Sequence, residues 1–410
     1  MEELPESLDE TYERILREIR KPNQGHAYRL LQCLVVAIRP LRVEELAEVL
    51  AFDFNGEEMP RLIPSWRWED QEEAVMSTCS SLVTIVKDKD SDSRVVQFSH
   101  FSVKEFLTVD RLAEPMRDVS RYHIRLEAAH TILAQACLGV LLRLDERVGR
   151  NSIEDFPLVR YAAQYWPPHA RVENVSSRIK NGMECLFDAD RPYFATWLWI
   201  YDEDRRGLSM LTEHPEKPPA VPLYYAAKLG FRDLTEHLIA EHPEHVNAKG
   251  GYESTSMHAA ASAGHANILS LLIEHGADLN GRGWNGGTPL CQASDNGKLE
   301  AGQLLLNHGA DIDARNIFNI TVLTGAIFQG HVEFALMLLE RGALIDARDS
   351  AGRTALHHAT MTNQVEAARF LLEHGANVNV RDEDGKTPSD YGNAEMVELM
   401  SEYGGESVKE

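Results

Sequence analysis

Five threonines in the C-terminal half stand 33 residues apart: Thr255, Thr288, Thr321, Thr354 and Thr387. Four glycines keep the same step beside them, Gly276, Gly309, Gly342 and Gly375, in segments such as "EHGADLN" and "EHGANVN". Two independent markers on one period describe a repeated supersecondary unit. They restrict this half of the chain to a stack of like modules before any helix is placed. Each unit holds two short apolar helical runs, as in "EAARFLLEHG" with Ala367, Ala368, Phe370, Leu371 and Leu372. The glycine ends the second run at a left-handed C-terminal position. One unit cannot bury its own apolar face; neighbours in register can.

The repeat resembles ankyrin. "TPLCQAS" (Thr288 to Ser294) and "TALHHAT" (Thr354 to Thr360) stand where that family has its T-P-L-H-x-A turn and first helix. An earlier segment, "VPLYYAAKLGFRDLTEHLIAEHPEHVNA", fits with a loop one residue longer, and "DGKTPSDYGNAEMVELMSEYGG" is short and polar like a terminal cap. Six ankyrin-like units over residues 217–410 are expected. The resemblance implies that His258 and His357 brace hairpins. It also implies that hairpin tips and first-helix ends form a concave protein-binding surface. Mapped onto the repeat, the tips carry Tyr252, Trp284, Asn285, Ile317 and Phe318, and the first-helix ends carry Phe328 and Met361. Aromatic and aliphatic residues exposed on successive units have the composition of a binding hot spot. These seven are the candidate partner-binding residues.

Other chemistries find less support. "DEDGKTP" ends like a P-loop at Gly385, Lys386 and Thr387, but Val380 stands where the first glycine of that motif belongs. "EHPEH" (Glu241 to His245) reads as a solvated loop. The five cysteines, Cys33, Cys79, Cys137, Cys185 and Cys291, form no CxxC pair and read as reduced, buried thiols. No metal, cofactor or catalytic residue is expected. In "VVQFSHFSVKEFLTVD" a serine, a histidine and an acid lie close together, Ser99, His100 and Glu105, without oxyanion-hole glycines nearby. The segment reads as a strand-to-helix joint capped by Ser99 or Ser102.

That joint closes a second pattern. "PESLDETYERILREIRK" opens with a capping box of Ser7 and Glu10 and puts Leu8, Tyr12, Ile15, Leu16 and Ile19 on one helical face. "AYRLLQCLVVAI" places Leu30, Leu31, Leu34, Val35 and Ile38 likewise, and "RPLRVEELAEVLAF" gives a short helix with Val43, Leu46, Ala47 and Leu50. After the helix "EDQEEAVMSTCSS" the period changes: "SLVTIV" and "RVVQFS" read as strands joined by the polar "KDKDSDS". A closing helix then turns Val103, Phe106 and Leu107 inward. Three helices, a hairpin and a closing helix make a winged-helix arrangement. The helix before the hairpin carries Glu69, Asp70, Glu72 and Glu73 at its start and no lysine or arginine, which opposes a phosphate-lined groove.

The expected fold class is mostly α. A leading amphipathic helix (1–23) precedes a winged-helix-like domain (24–112), a helical spacer (113–216) and the C-terminal ankyrin-repeat solenoid (217–410). In the spacer, "SRYHIRLEAAHTILAQACLGVLLRL" reads as one long helix and "FPLVRYAAQYWPPHA" as a helix stopped by Pro167 and Pro168. Tyr193, Phe194, Trp197 and Trp199 read as core, and "TEHPEKPPAVP" (Thr212 to Pro222) as a hinge. A formal net charge of −23 makes nucleic acid an unlikely partner. The acidic start "MEELPESLDE" has no secretory core, and no apolar run reaches membrane-spanning length, so a soluble cytoplasmic chain is expected, with the nucleus also open.

The combination "LPESLDETYERIL", "LRVEELAEVLAF" and "VVQFSHFSVKEFL", followed by helices and ankyrin units, resembles fungal NACHT–ankyrin proteins, NLR-like STAND signalling ATPases. In that family the first of these segments follows the nucleotide-binding domain, on which the winged helix packs. The resemblance implies the regulatory and sensor half of such a system without its NTPase domain. It would be a non-enzymatic interaction or scaffold protein that takes protein partners through the stack and a NACHT domain through the winged helix. Two alternatives are a fragment of an ATPase whose nucleotide-binding domain lies upstream or on another chain, and a DNA-binding winged-helix regulator, the less favoured.

Overall fold

The computed structural model describes residues 8–56, 59–79, 81–88, 93–114, 118–144, 152–201 and 220–405. The chain divides into two compact units, Met1–Pro218 and Pro219–Glu410. Among the described residues no helix is long and apolar enough to cross a membrane.

The first unit opens with α1 (Leu8–Glu18) and α2 (Gln24–Val36), followed by β1 (Leu41–Arg42), α3 (Val43–Leu50), β2 (Phe52–Asp53) and β3 (Arg61–Leu62). Helix α4 (Gln71–Cys79), the hairpin β4 (Val83–Lys87) and β5 (Arg94–Phe98), and α5 (Phe101–Thr108) complete the winged helix. Tyr12, Leu16 and Ile19 are buried, and the Tyr12 ring meets Phe106 of α5 at 5.3 Å. Leu8 is exposed, correcting the inward face expected of it, and Ser7 lies outside the described residues. Helix α2 stops at Val36, so Ile38 faces solvent rather than the core. The sheet has a third strand that the sequence pattern did not reveal: β1 pairs antiparallel with β5, Leu41 opposite Val96, giving the order β1-β5-β4. Two residues are too few to show a period.

The helices among the remaining described residues of this unit are α6 (Leu126–Leu141), α7 (Val159–Ala170), α8 (Val175–Arg178), α9 (Lys180–Leu186) and α10 (Tyr193–Ile200). Helix α6 begins at Leu126, later than expected, because residues 120–122 form a separate 3₁₀ turn. The expected divisions at residues 23 and 112 fall inside this unit, where α1 packs on α5 and α2 on α6. The expected hinge, residues 212–222, lies almost wholly outside the described residues.

Pro167 and Pro168 do not stop α7; both lie inside it. A proline at 167 cannot donate to the Ala163 carbonyl four residues back. The Trp197 indole N–H supplies that bond at 2.8 Å. A side chain from α10 thus replaces the backbone donor lost at Pro167. Trp197 also sits among the rings of Trp166, Phe187 and Phe194, at 5.8, 5.6 and 5.8 Å. Phe194, Trp197 and Trp199 are core, and Tyr193 is half-buried.

The second unit is a stack of helix pairs: α11 (Pro222–Leu229) with α12 (Arg232–Glu241), α13 (Ser256–Ala263) with α14 (Ala266–Glu274), and α15 (Pro289–Asp295) with α16 (Leu299–Asn307). Then come α17 (Val322–Phe328) with α18 (Val332–Glu340), α19 (Ala355–Met361) with α20 (Val365–Glu373), and a 3₁₀ turn (Pro388–Tyr391) with α21 (Ala394–Glu402). Each 33-step threonine is the N-cap of the helix or turn it precedes. Gly276, Gly309, Gly342 and Gly375 have φ between +78° and +92°, the left-handed region where a Cβ is strained.

Replacing Trp197 with Phe keeps the aromatic packing but leaves the buried Ala163 carbonyl without its donor. The expected cost is about 1–3 kcal/mol, read from urea unfolding of the full chain. A loss below about 0.5 kcal/mol would show that the carbonyl had found another donor.

Candidate protein-binding surface

The hairpins of the stack are fixed by side chains that reach one repeat forward. In His258, Nδ1 accepts the Thr255 N–H at 3.2 Å, which leaves the proton on Nε2, and Nε2–H donates to the Gly287 carbonyl at 3.1 Å. His357 does the same with the Thr354 N–H and the Lys386 carbonyl, at 3.1 and 3.3 Å. Burial pushes both imidazoles below their usual range, so they stay neutral. The bracing role implied for these histidines is what the geometry shows. The equivalent positions in the two units between them are Cys291 and Thr324, which bond back to their own threonines and reach no further. There, arginines bridge instead: Arg282 donates to the Arg315 carbonyl, and Arg315 to the Arg348 carbonyl at 2.8 Å. Successive tips are also joined directly, Ile317 N–H to the Asn285 carbonyl and Ser350 N–H to the Phe318 carbonyl, both at 3.0 Å.

On this rigid edge Trp284 is 65% exposed, Ile317 64% and Phe318 58%. Phe328 and Met361 are 48% and 43% exposed at the ends of α17 and α19. Asn285 differs from these. It is half-buried, and its Oδ1 accepts the Gly287 N–H at 3.0 Å, so its side chain shapes the turn. The Tyr252 side chain lies outside the described residues. Phe328 meets the edge of the His358 ring at 6.0 Å, and His358 is held by Asp349 at 2.9 Å.

Asp295 was not singled out from the sequence, although it stands one 33-residue step before Phe328 and two before Met361. Burial raises its carboxyl to about 6, against the opposing pull of His331. Oδ1 lies 2.6 Å from where a Cβ on residue 325 would be, so Gly325 is the residue that admits it. Nothing in sequence marks an aspartate as half-desolvated. Its place in the repeat was the available signal.

The other candidate positions resolve as structure. His100 is itself the N-cap of α5, with Nδ1 accepting the Ser102 N–H at 3.3 Å, which corrects the expected Ser99 or Ser102 cap. Ser99 Oγ donates to the Ser81 carbonyl, and Ser102 Oγ pairs with the Tyr12 hydroxyl at 2.7 Å. His242, Glu244 and His245 place metal-ligand atoms within 4.8 Å of one another, with Glu244 3.3 Å from His242 and 3.9 Å from His245. Tetrahedral zinc with ligands at about 2.0–2.1 Å needs separations of about 3.3 Å, so the set is more open than such a site. Of the cysteines, Cys185 is half-buried and the other four are buried; burial pushes Cys33 and Cys79 up to about 12.

Two buried glutamates, Glu45 and Glu48, were also missed. Glu45 accepts both terminal nitrogens of Arg39 at 2.7 and 2.6 Å and the Arg42 N–H at 2.8 Å. Burial pushes its carboxyl up, but these bonds and the two guanidinium charges together hold it below the usual range. Glu48 takes Arg67 and the Leu158 N–H, both at 2.6 Å, and there burial prevails and its carboxyl is raised. These contacts tie α3 to the residues leading into α7. The start of α4 gathers Glu69, Asp70, Glu72 and Glu73 beside Glu44 in one open groove.

Residues 223–316 and 313–382 match the family described as ankyrin repeats (three copies), and residues 12–116 match the family described as GPI inositol-deacylase, winged helix domain. The second match begins inside α1 and so includes part of the leading helix. The chain is 32% identical over 286 residues to a Monascus ruber protein, "Azaphilone pigments biosynthesis cluster protein L"; the similarity covers 66% of this chain and 59% of that protein.

The raised Asp295 carboxyl fixes a pH dependence. An acid whose folded value lies above its unfolded value costs little stability below pH 4 and its full penalty above about pH 6. Asp295→Asn is therefore expected to stabilise the chain at pH 7.5 by on the order of 1–3 kcal/mol and to change little at pH 4. Urea unfolding at the two pH values checks this. Equal effects at both would place the cause in packing rather than ionisation.

Proposed function

We propose that this chain is a non-enzymatic protein-interaction component of an NLR-like signalling system, with its ankyrin stack as the docking surface. The observation that carries this reading is the run of exposed apolar side chains on adjacent repeats, Trp284, Ile317 and Phe318 on hairpins that are hydrogen-bonded to their neighbours and Phe328 and Met361 at first-helix ends. Apolar groups that stay exposed on a rigid edge gain by burial against a partner and cost little ordering entropy when they do. Repeat stacks use such surfaces to hold proteins.

The winged-helix match and the resemblance to NACHT–ankyrin proteins support a regulatory role for the first unit, with a NACHT domain as its partner. The carboxylates gathered at α4 oppose the alternative of a phosphate-lined DNA groove. The Monascus ruber relative is named for a gene cluster and not for a reaction, so it offers no catalytic residue to carry over.

Combining Trp284→Ala with Phe318→Ala is expected to weaken capture of the physiological partner at least tenfold and to leave the unfolding midpoint unchanged, since both side chains face solvent. Unchanged capture would remove these residues from the surface. Separately, the purified chain is expected to hydrolyse no ATP above a buffer blank. Turnover that co-purifies with it through successive columns would overturn the non-enzymatic reading.

A further inference from the structure

The 33-residue ruler has a charged column. Lys249, Arg282, Arg315, Arg348 and Arg381 stand one step apart, at the base of successive hairpins. The residue after each is Gly250, Gly283, Asn316, Asp349 and Asp382. The acid that follows the cation in the last two hairpins is thus missing from the two whose tips carry Trp284, Ile317 and Phe318. Asp349 is itself committed, to His358 through one oxygen and to the Ala351 and Arg353 N–H groups through the other. The other nearby acids, Asp278 before Arg282, Asp311 and Asp313 before Arg315 and Asp346 before Arg348, accept the backbone N–H groups of Asn280, Asp313, Leu344 and Asn377.

Among the described residues no carboxylate lies within ion-pair distance of Arg282, Arg315 or Arg348. Arg282 and Arg315 each use one terminal nitrogen, Nη1, on hairpin carbonyls. A guanidinium has five N–H donors, so the other terminal nitrogen and Nε keep a paired set of the kind that grips a carboxylate. Arg282 sits on the Gly286 carbonyl, next to the residue that accepts the Ile317 N–H. Arg315 sits on the Asn319 carbonyl, next to Phe318. Cations and exposed apolar groups therefore alternate along one edge. In a chain of net charge −23, these are guanidinium groups with no carboxylate in ion-pair reach among the described residues.

We infer that this edge binds an extended, acidic segment of a partner protein. Its carboxylates pair with Arg282, Arg315 and Arg348, and its aromatic or aliphatic side chains lie against Trp284, Ile317 and Phe318. The inference rests on the docking role proposed above and adds the chemistry of the partner. Spacing follows from the stack. Packed helices lie about 8–10 Å apart, and an extended chain advances about 3.3 Å per residue, so acids recur every third residue.

The test is selection of displayed random 12-residue peptides on the full chain, followed by fluorescence anisotropy of the enriched sequences. Enrichment of Asp or Glu at three-residue intervals with apolar residues between is expected. The background works against it, because an acidic chain repels acidic peptides nonspecifically. The triple variant R282Q/R315Q/R348Q is expected to bind at least tenfold more weakly. R282K/R315K/R348K, which keeps the charge but not the paired donors, is expected to bind more tightly than the glutamine variant and more weakly than the parent chain, with affinity falling as salt rises. Peptides without acids that ignore the glutamine variant yet need Trp284 and Phe318 would overturn this inference and leave the docking role standing. Peptides indifferent to both sets, or no enrichment at all, would overturn both.

Discussion

The second unit depends on one hydrogen-bonded brace repeated along the stack, in which a side chain early in one first helix holds the hairpin of the next repeat. Where the slot holds histidine, one imidazole caps the helix through the Thr255 or Thr354 N–H and grips the Gly287 or Lys386 carbonyl. This works only while the ring is neutral and the tautomer fixed, and burial secures both. Where the slot holds Cys291 or Thr324, the forward reach is gone and Arg282 and Arg315 provide it. Arg282 and Arg315, in the two units without the imidazole brace, share with Arg348, in the unit of His357, the lack of a carboxylate in ion-pair reach among the described residues. Trp284, Ile317 and Phe318 are exposed at the tips of the same two hairpins, so the arginine bridges and the apolar surface lie side by side.

The first unit is held differently. Its helices and small sheet are joined through buried charge and through one indole. Glu45 and Glu48 would be costly in a core without their guanidinium and backbone partners. With them, they connect α3 to Arg39, Arg42, Arg67 and the approach to α7. In α7, Trp197 satisfies the Ala163 carbonyl that Pro167 leaves without a backbone donor. Removing one partner from such a contact leaves an unsatisfied group in a dry place, so these joints respond sharply to substitution.

The repeat was legible because it is written redundantly: threonine N-caps, left-handed glycines and apolar pairs all keep one period. The hairpin β4–β5 and the inward face of α5 were legible through their change of period. What failed did so for local reasons. Strand β1 is too short to show alternation, the Ala163 carbonyl in α7 takes its donor from a residue 34 positions away, and the cap of α5 is a histidine rather than a serine. Among the candidate site residues, Trp284, Ile317, Phe318, Phe328 and Met361 are exposed, while Asn285 is turned into its own turn. Asp295, Glu45 and Glu48 escaped notice because desolvation and partnership come from tertiary packing. The cation column was present in the sequence, but that Arg282, Arg315 and Arg348 have no carboxylate in ion-pair reach among the described residues, while Lys249 pairs with Glu253, became visible only in the structure.

The central claim is that the hairpin edge and first-helix ends of the stack are where a partner docks. Hydrogen–deuterium exchange of the full chain, with and without its physiological protein partner, tests this most directly. The account predicts slowed exchange at residues 282–288, 315–321 and 325–329 on binding, with the buried second helices unchanged. Protection confined to residues 41–108, with the stack exchanging as before, would contradict it and place the interface on the winged helix.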